Sequence, residues 1–299
     1  MARFEYRLVD VFTRERFGGN PLAVFPDGRG IDPALMQRLA FELNLSETTF
    51  VLPTERADCD VRVRIFTPRA ELPMAGHPAV GTAFVLDELE RSESGNRARG
   101  ERSEPRERIV FELGVGPVPV ERVRAADGAT LWRMTQPPAR FGPRCEDRAG
   151  LAAALGLDLA DLDPALPCES VATGPPFLIV PLRSLAALAR ARLRIDAWEP
   201  IERSVDGAQP YLFVRSGATT ARCRMFGPAH GIAEDPATGG AAGPLGAYWL
   251  AHGLAQDGAA LVFTQGVEMG RPSELFVEPG PSVRVAGACV PTGGGWFEL

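Results

Sequence analysis

Two short segments of the chain share one grammar. His77 opens "HPAVGTA" and Asp235 opens "DPATGGA", and an apolar helical run follows each, "FVLDEL" and "PLGAYWL". A polar residue before proline reads as a helix N-cap with proline at the first helical position. His77 with Pro78, and Asp235 with Pro236, are therefore expected to open helices. Small residues in the first turn allow tight packing or let a ligand approach the backbone. A helix start also offers unpaired N–H groups and partial positive charge, which is chemistry suited to a carboxylate. If the two halves of the chain face each other, two such termini meet at one cleft. Asp32-Pro33 has the same local form without the repeat and reads as a plain structural cap.

A third candidate is Glu47 in "NLSETTFVLP", next to an apolar-alternating strand in which Thr49 and Val51 share its face. From the residues alone, an exposed strand glutamate is the simpler reading. A half-buried one would have a raised pKa and could act as general acid and base.

The elements that position these residues follow from patterning. Short alternating runs bounded by Gly, Pro or Asp mark strands at 4–12, 48–52, 62–66, 109–113 and 118–123. In the second half the same pattern marks 177–180, 211–214, 222–226, 261–263 and 275–277. Helices are expected after the Asp32-Pro33 cap, over 147–155 and over 184–192. Many strands with a few interspersed helices give an α+β chain. An internal repeat organises it. "VRVRIFTP" (61–68) resembles "ARCRMFGP" (221–228), the two helix-start motifs follow in turn, and "FELGV" (111–115) resembles "FTQGV" (263–267). One repeat per half means two similarly folded domains. We place them at 1–135 and 136–299, with 284–299 a segment that could pack back on the first domain. Residues 90–108, almost entirely Arg, Ser, Glu and Gly, can bury nothing and read as an exposed insertion.

Composition excludes several functions. The chain has 299 residues, 45% hydrophobic and 23% charged, which is ordinary globular composition. A formal net charge of −6 leaves no basic surplus for nucleic acid. There is no lysine, so neither a Schiff-base cofactor nor a Walker A loop can be served. The five cysteines are scattered and never in CxxC spacing, and the three histidines form no HExxH or HxH pattern. Reduced thiols, no metal site and a cytoplasmic location are expected. No 18-residue apolar run and no signal-peptide core occur, so no membrane role is expected.

These motifs carry a resemblance. "FTPRAELPMAGHPAVGTA" and "EDPATGGAAGPLGAY" resemble the two signatures of the PhzF-like (phenazine biosynthesis) isomerase family, which shares the diaminopimelate epimerase fold. "FGGNPLAVF", "LSETTFV", "TGPPFLIVPL" and "FTQGVEMGRPS" match the family in the same order. The resemblance implies two pseudo-symmetric domains, each a barrel-like mixed sheet wrapped around a central helix, and a homodimer. It implies an isomerase without cofactor or metal that moves a proton between carbons of a small carboxylated substrate. Glu47 would be the general acid/base, His77 and Asp235 would position substrate or assist, and amides at Gly76, Gly239 and Gly240 would hold the carboxylate. A lyase or epimerase on a small amino or hydroxy acid, and a ligand-binding or scaffold protein on the same fold, are the alternatives. Two departures matter. Gly240 stands where phenazine enzymes carry a serine, and no cysteine adjoins either helix start, which argues against two-cysteine racemisation.

Overall fold

The computed structural model describes residues 2–96 and 106–299. They form two compact units, Met1–Thr135 with Ala286–Leu299, and Gln136–Val285. The first contains β1 (Arg3–Val11), β2 (Asn20–Phe25), α1 (Pro33–Leu43), β3 (Glu47–Leu52), β4 (Val61–Phe66), β5 (Glu71–Leu72) and α2 (Gly76–Asn96). It continues through β6 (Arg108–Leu113), β7 (Gly116–Arg124) and β8 (Thr130–Thr135). The second contains β9 (Arg140–Arg144), α3 (Arg148–Ala154), β10 (Glu169–Ala172), β11 (Pro176–Pro181), α4 (Leu185–Arg190) and α5 (Ile195–Ser204). After these come β12 (Gln209–Arg215), β13 (Thr220–Gly227), β14 (Ile232–Asp235), α6 (Gly239–Ala251), β15 (Leu261–Gln265) and β16 (Ser273–Glu278). The chain returns to the first unit within β17 (Arg284–Gly287), and β18 (Cys289–Glu298) pairs antiparallel with β1.

The two units repeat one pairing scheme. β2 runs parallel to β3, β3 antiparallel to β4, β4 antiparallel to β5 and parallel to β6, and β6 antiparallel to β7. In the second unit β11, β12, β13, β14, β15 and β16 repeat these relations in the same order. Even the flanks match, since β1 joins β18 to β2 as β10 joins β9 to β11. Two pseudo-symmetric domains of mixed sheet result.

One helix sits at the centre of each scheme. α2 touches β1, β2, β3, β7, β8 and β18, so the strands curl around it, and Ala79, Val80, Ala83 and Val85 are buried. α6 touches β10, β11 and β16 and is buried on all sides from Ala241 to Trp249. A helix buried all round needs apolar and small residues on every face, and "AAGPLGAYW" supplies them. Gly243 shows how close the fit is, because a Cβ there would lie 1.8 Å from Gln136 Oε1.

Two expectations stated for the insertion and the helix starts differ from what is observed. α2 continues to Asn96, so residues 90–96 are helical rather than part of an exposed loop. The insertion's centre, 97–105, lies outside the described residues. The helix starts also differ from the Xaa-Pro cap grammar. α2 begins at Gly76, which puts His77 inside the first turn, and α6 begins at Gly239, with Thr238 at the cap position. By contrast, Asp32 caps α1 as its local sequence predicts, accepting a hydrogen bond from Leu35 N at 2.9 Å with Pro33 following.

Candidate active site

Glu47 is the first residue of β3, paired with Leu22 of β2. It is buried, not exposed as its local sequence suggests. The reason is non-local: Glu47 Oε2 lies 3.2 Å from Nε2 of His77, which α2 carries into the same interior. Two residues along β3, Thr49 Oγ1 meets Thr82 Oγ1 of α2 at 2.9 Å and ties the strand to the helix.

Asn20 faces the far side of the ring. Asn20 Nδ2 lies 3.4 Å from His77 Nδ1. With the amide in this orientation its nitrogen donates, so Nδ1 accepts and the ring carries its proton on Nε2, the nitrogen facing Glu47. Burial pushes the imidazole pKa down from its ordinary 6.5 to about 3. The ring is therefore neutral and a poor base at neutral pH.

This depression has a consequence for stability. Between pH 6.5 and about 3 the unfolded chain binds a proton at His77 and the folded chain does not. The contribution is fully present above 6.5 and is lost as pH falls toward 3, by up to about 1.4 kcal/mol per pH unit. Urea unfolding of wild type and His77→Gln at pH 7 and pH 4.5 should show a smaller acid loss in the variant. Equal losses would contradict a buried, neutral His77.

Asp235 ends β14, where it pairs with Met225 of β13, and is also buried. Thr238 Oγ1 donates to its Oδ2 at 2.5 Å. The glycines occupy the first turns. Gly76 and Gly239 are the first residues of α2 and α6, and Gly240 is the second of α6. N–H groups at such positions have no partner within their own helix. Gln136 Nε2 donates to Gly239 O at 2.8 Å and accepts Thr173 Oγ1 at Oε1 at 2.7 Å, which steadies the start of α6.

The internal duplication sharpens the role of Glu47. By strand register Gln209 of β12 holds its place, facing Phe177 of β11 as Glu47 faces Leu22. Gln209 is committed to structure: its Nε2 donates to Glu202 Oε1 at 2.7 Å and to Gly207 O at 3.0 Å. The carboxylate at this position thus belongs to one unit only. The thiols offer no alternative base. Burial raises Cys145 to about 11 and Cys168 and Cys223 to about 12, and it pushes Cys59 and Cys289 up as well. Among the described residues no group of three or more His, Cys, Asp or Glu is arranged to hold a metal, and no helix is long and apolar enough to cross a membrane.

The model of the phenazine biosynthesis-like protein family matches residues 9–295. The chain belongs to the PhzF-like family. Trans-2,3-dihydro-3-hydroxyanthranilate isomerase of Pseudomonas aeruginosa is 38% identical over 98% of this chain and 96% of that protein. The Bacillus anthracis phenazine biosynthesis protein of the PhzF family has the same fold, with a TM-score of 0.88 at 26% identity and full coverage of both chains. A hydroxyproline epimerase from Agrobacterium vitis shares the fold at a TM-score of 0.64 and 12% identity, covering 98% of this chain and 92% of its own.

Within this PhzF-like chain, residue patterning singled out Glu47, His77 and Asp235, and the family resemblance added Gly76, Gly239 and Gly240, but Asn20, Thr238 and Gln265 were left without roles. Each sits in a recognisable motif, "FGGNPLAVF", "DPATGG" and "FTQGVEMGRPS" respectively. Nothing local distinguishes them from ordinary turn and strand residues.

Proposed function

We propose that this PhzF-like isomerase moves a proton between carbons of a small carboxylated substrate, with Glu47 as general acid and base and no cofactor. The observation that carries the reading is the buried Glu47–His77 pair at 3.2 Å. Glu47 as carboxylate takes a proton from carbon, and the C–H electron pair enters the substrate's π system and shifts its double bond. The carboxylic acid exchanges its proton with solvent and returns a proton at another carbon, so the reaction is balanced without a redox partner. His77 suits this cycle because burial has suppressed its basicity. A neutral imidazole does not draw the proton off Glu47, and its Nε2–H can stabilise negative charge developing on a substrate oxygen. Asp235 and the amides at Gly76, Gly239 and Gly240 serve to hold and orient the substrate. Support for the reaction class comes from the relatives, which are isomerases; the raised thiols speak against a two-cysteine route at neutral pH.

Gly240 bears on the substrate. A Cβ there would meet the Phe177 ring at 3.8 Å, an ordinary contact, so a side chain can begin at this position without rearrangement. Gly240→Ser should keep the melting temperature and raise kcat/KM on trans-2,3-dihydro-3-hydroxyanthranilate by about 10-fold, the worth of one good hydrogen bond. No gain in a folded variant would show that the missing hydroxyl does not set substrate choice. The proposal itself is tested by product analysis with that compound. A moved double bond supports it, whereas loss of water or simple inversion would assign the lyase or epimerase reading.

A further inference from the structure

The "FTQGVEMGRPS" motif lies outside the residues given roles above, yet it faces the turn that carries Asp235. Gln265, fully buried at the end of β15, makes four hydrogen bonds to its surroundings. Its Nε2 donates to Asp235 O at 2.7 Å and to Thr238 Oγ1 at 2.9 Å. Its Oε1 accepts Thr238 N at 3.2 Å and Tyr211 OH at 3.0 Å. Gly266 follows in the left-handed region at φ +76°, where a Cβ would lie 2.5 Å from Pro236 O. Ser273 Oγ donates to that same Pro236 O at 2.9 Å. The motif therefore grips the whole 235–238 segment from behind.

Donor and acceptor bookkeeping gives this grip a direction. Asp235 O can only accept, so the Gln265 nitrogen must face it, and the Thr238 N–H can only donate, so the Gln265 oxygen must face that. The amide orientation is thereby fixed. Its nitrogen then occupies one lone pair of Thr238 Oγ1, and the threonine hydroxyl donates to Asp235 Oδ2, 2.5 Å away. That oxygen is held as an acceptor, the arrangement that favours an ionised carboxylate.

We propose that Thr238 and Gln265 are positioning residues that act through Asp235, fixing its carboxylate in place and in its ionised form for the substrate. The inference rests on the assignment of Asp235 to the site. The groups facing Asp235 from neighbouring strands do not compete for this role. Burial keeps the Tyr211 phenol and the Cys223 thiol protonated, and Glu234 is closed in a bidentate pair with Arg224 at 2.7 and 2.8 Å.

The test compares Thr238→Val, Thr238→Ser, Gln265→Glu and Asp235→Asn as full-length proteins, reading kcat and KM across pH and melting temperature. The substrate is trans-2,3-dihydro-3-hydroxyanthranilate, or whichever compound of a small-acid panel shows wild-type turnover. Thr238→Val should lower kcat/KM by about 10-fold or more, the worth of a hydrogen bond to a charged group. It should also move the acid limb of the pH profile upward, because losing a donor raises a carboxylate's pKa. Thr238→Ser should restore both. Gln265→Glu, equal in size but lacking the amide donor, should behave like Thr238→Val. If Thr238→Val loses stability, the limb position read below its melting temperature still separates positioning from folding. Normal kinetics in Thr238→Val beside an impaired Asp235→Asn would overturn the relay and leave the site assignment standing. Normal kinetics in Asp235→Asn would overturn both.

Discussion

Replacing Glu47 with glutamine is expected to lower turnover by about 10²–10⁴-fold while the protein stays folded, the range that positioned acid/base groups contribute. The substitution keeps size and burial and removes only the ability to take and return a proton. Its neighbour His77 cannot substitute, because burial holds its pKa near 3 and it bonds to Asn20 through Nδ1. The duplicated unit cannot substitute either, since Gln209 stands at the equivalent register and its amide is engaged by Glu202 and Gly207. Full activity in a folded Glu47→Gln protein would remove the proposed base, and steady-state kinetics with a melting curve are enough to see it.

The second large effect concerns the central helix of the second unit. Gly243→Ala adds one methyl group, yet that methyl would sit 1.8 Å from Gln136 Oε1. Gln136 must move, and the buried Thr173 hydroxyl and the Gly239 carbonyl then lose their partners. Each unsatisfied buried group costs about 1–3 kcal/mol, so a loss of about 2–6 kcal/mol is expected. The melting temperature should fall by roughly 5–15 °C for a domain of this size. Because Gly239 opens α6, the variant should also bind substrate more weakly at temperatures where it remains folded. Gln136→Ala should act in the same direction, and a double variant no worse than Gly243→Ala alone would show that both act through the same contacts. A change below about 0.5 kcal/mol on Gly243→Ala would mean the helix and Gln136 shift apart at little cost.

Much of this architecture was legible in the sequence because it is encoded locally. Alternation marks β3, β4, β12 and β13, and the Asp32-Pro33 pair marks the start of α1 where the structure has it. Elements without local grammar escaped. β18 reads "CVPTGGGWFE", whose glycines show no alternation, and it becomes a strand because β1, far away in the chain, pairs with it. α5 contains Pro200 within its span, and β2 carries Pro21 at its second residue.

The candidate site divides along the same line. His77 and Asp235 stand out because a repeated motif marks them, but the helix starts inferred from that motif are displaced. In the second unit the displacement has a visible cause. Gln265 and Ser273, about 30 residues downstream, hold the 235–238 segment in a turn, and Thr238 directs its hydroxyl to Asp235 instead of to the helix amides. Glu47 looks like a surface residue until the fold supplies His77 beside it. Position in a motif was readable; burial and partners, which set the chemistry, come from contacts distant in sequence.

Proton exchange in deuterated buffer tests the central claim most directly. Wild type and Glu47→Gln would be incubated with trans-2,3-dihydro-3-hydroxyanthranilate and a panel of small cyclic and linear amino acids, and carbon-bound deuterium followed by NMR. The account predicts deuterium at a carbon position of at least one compound with wild type and none with Glu47→Gln. Equal incorporation by both proteins would contradict Glu47 as the proton carrier.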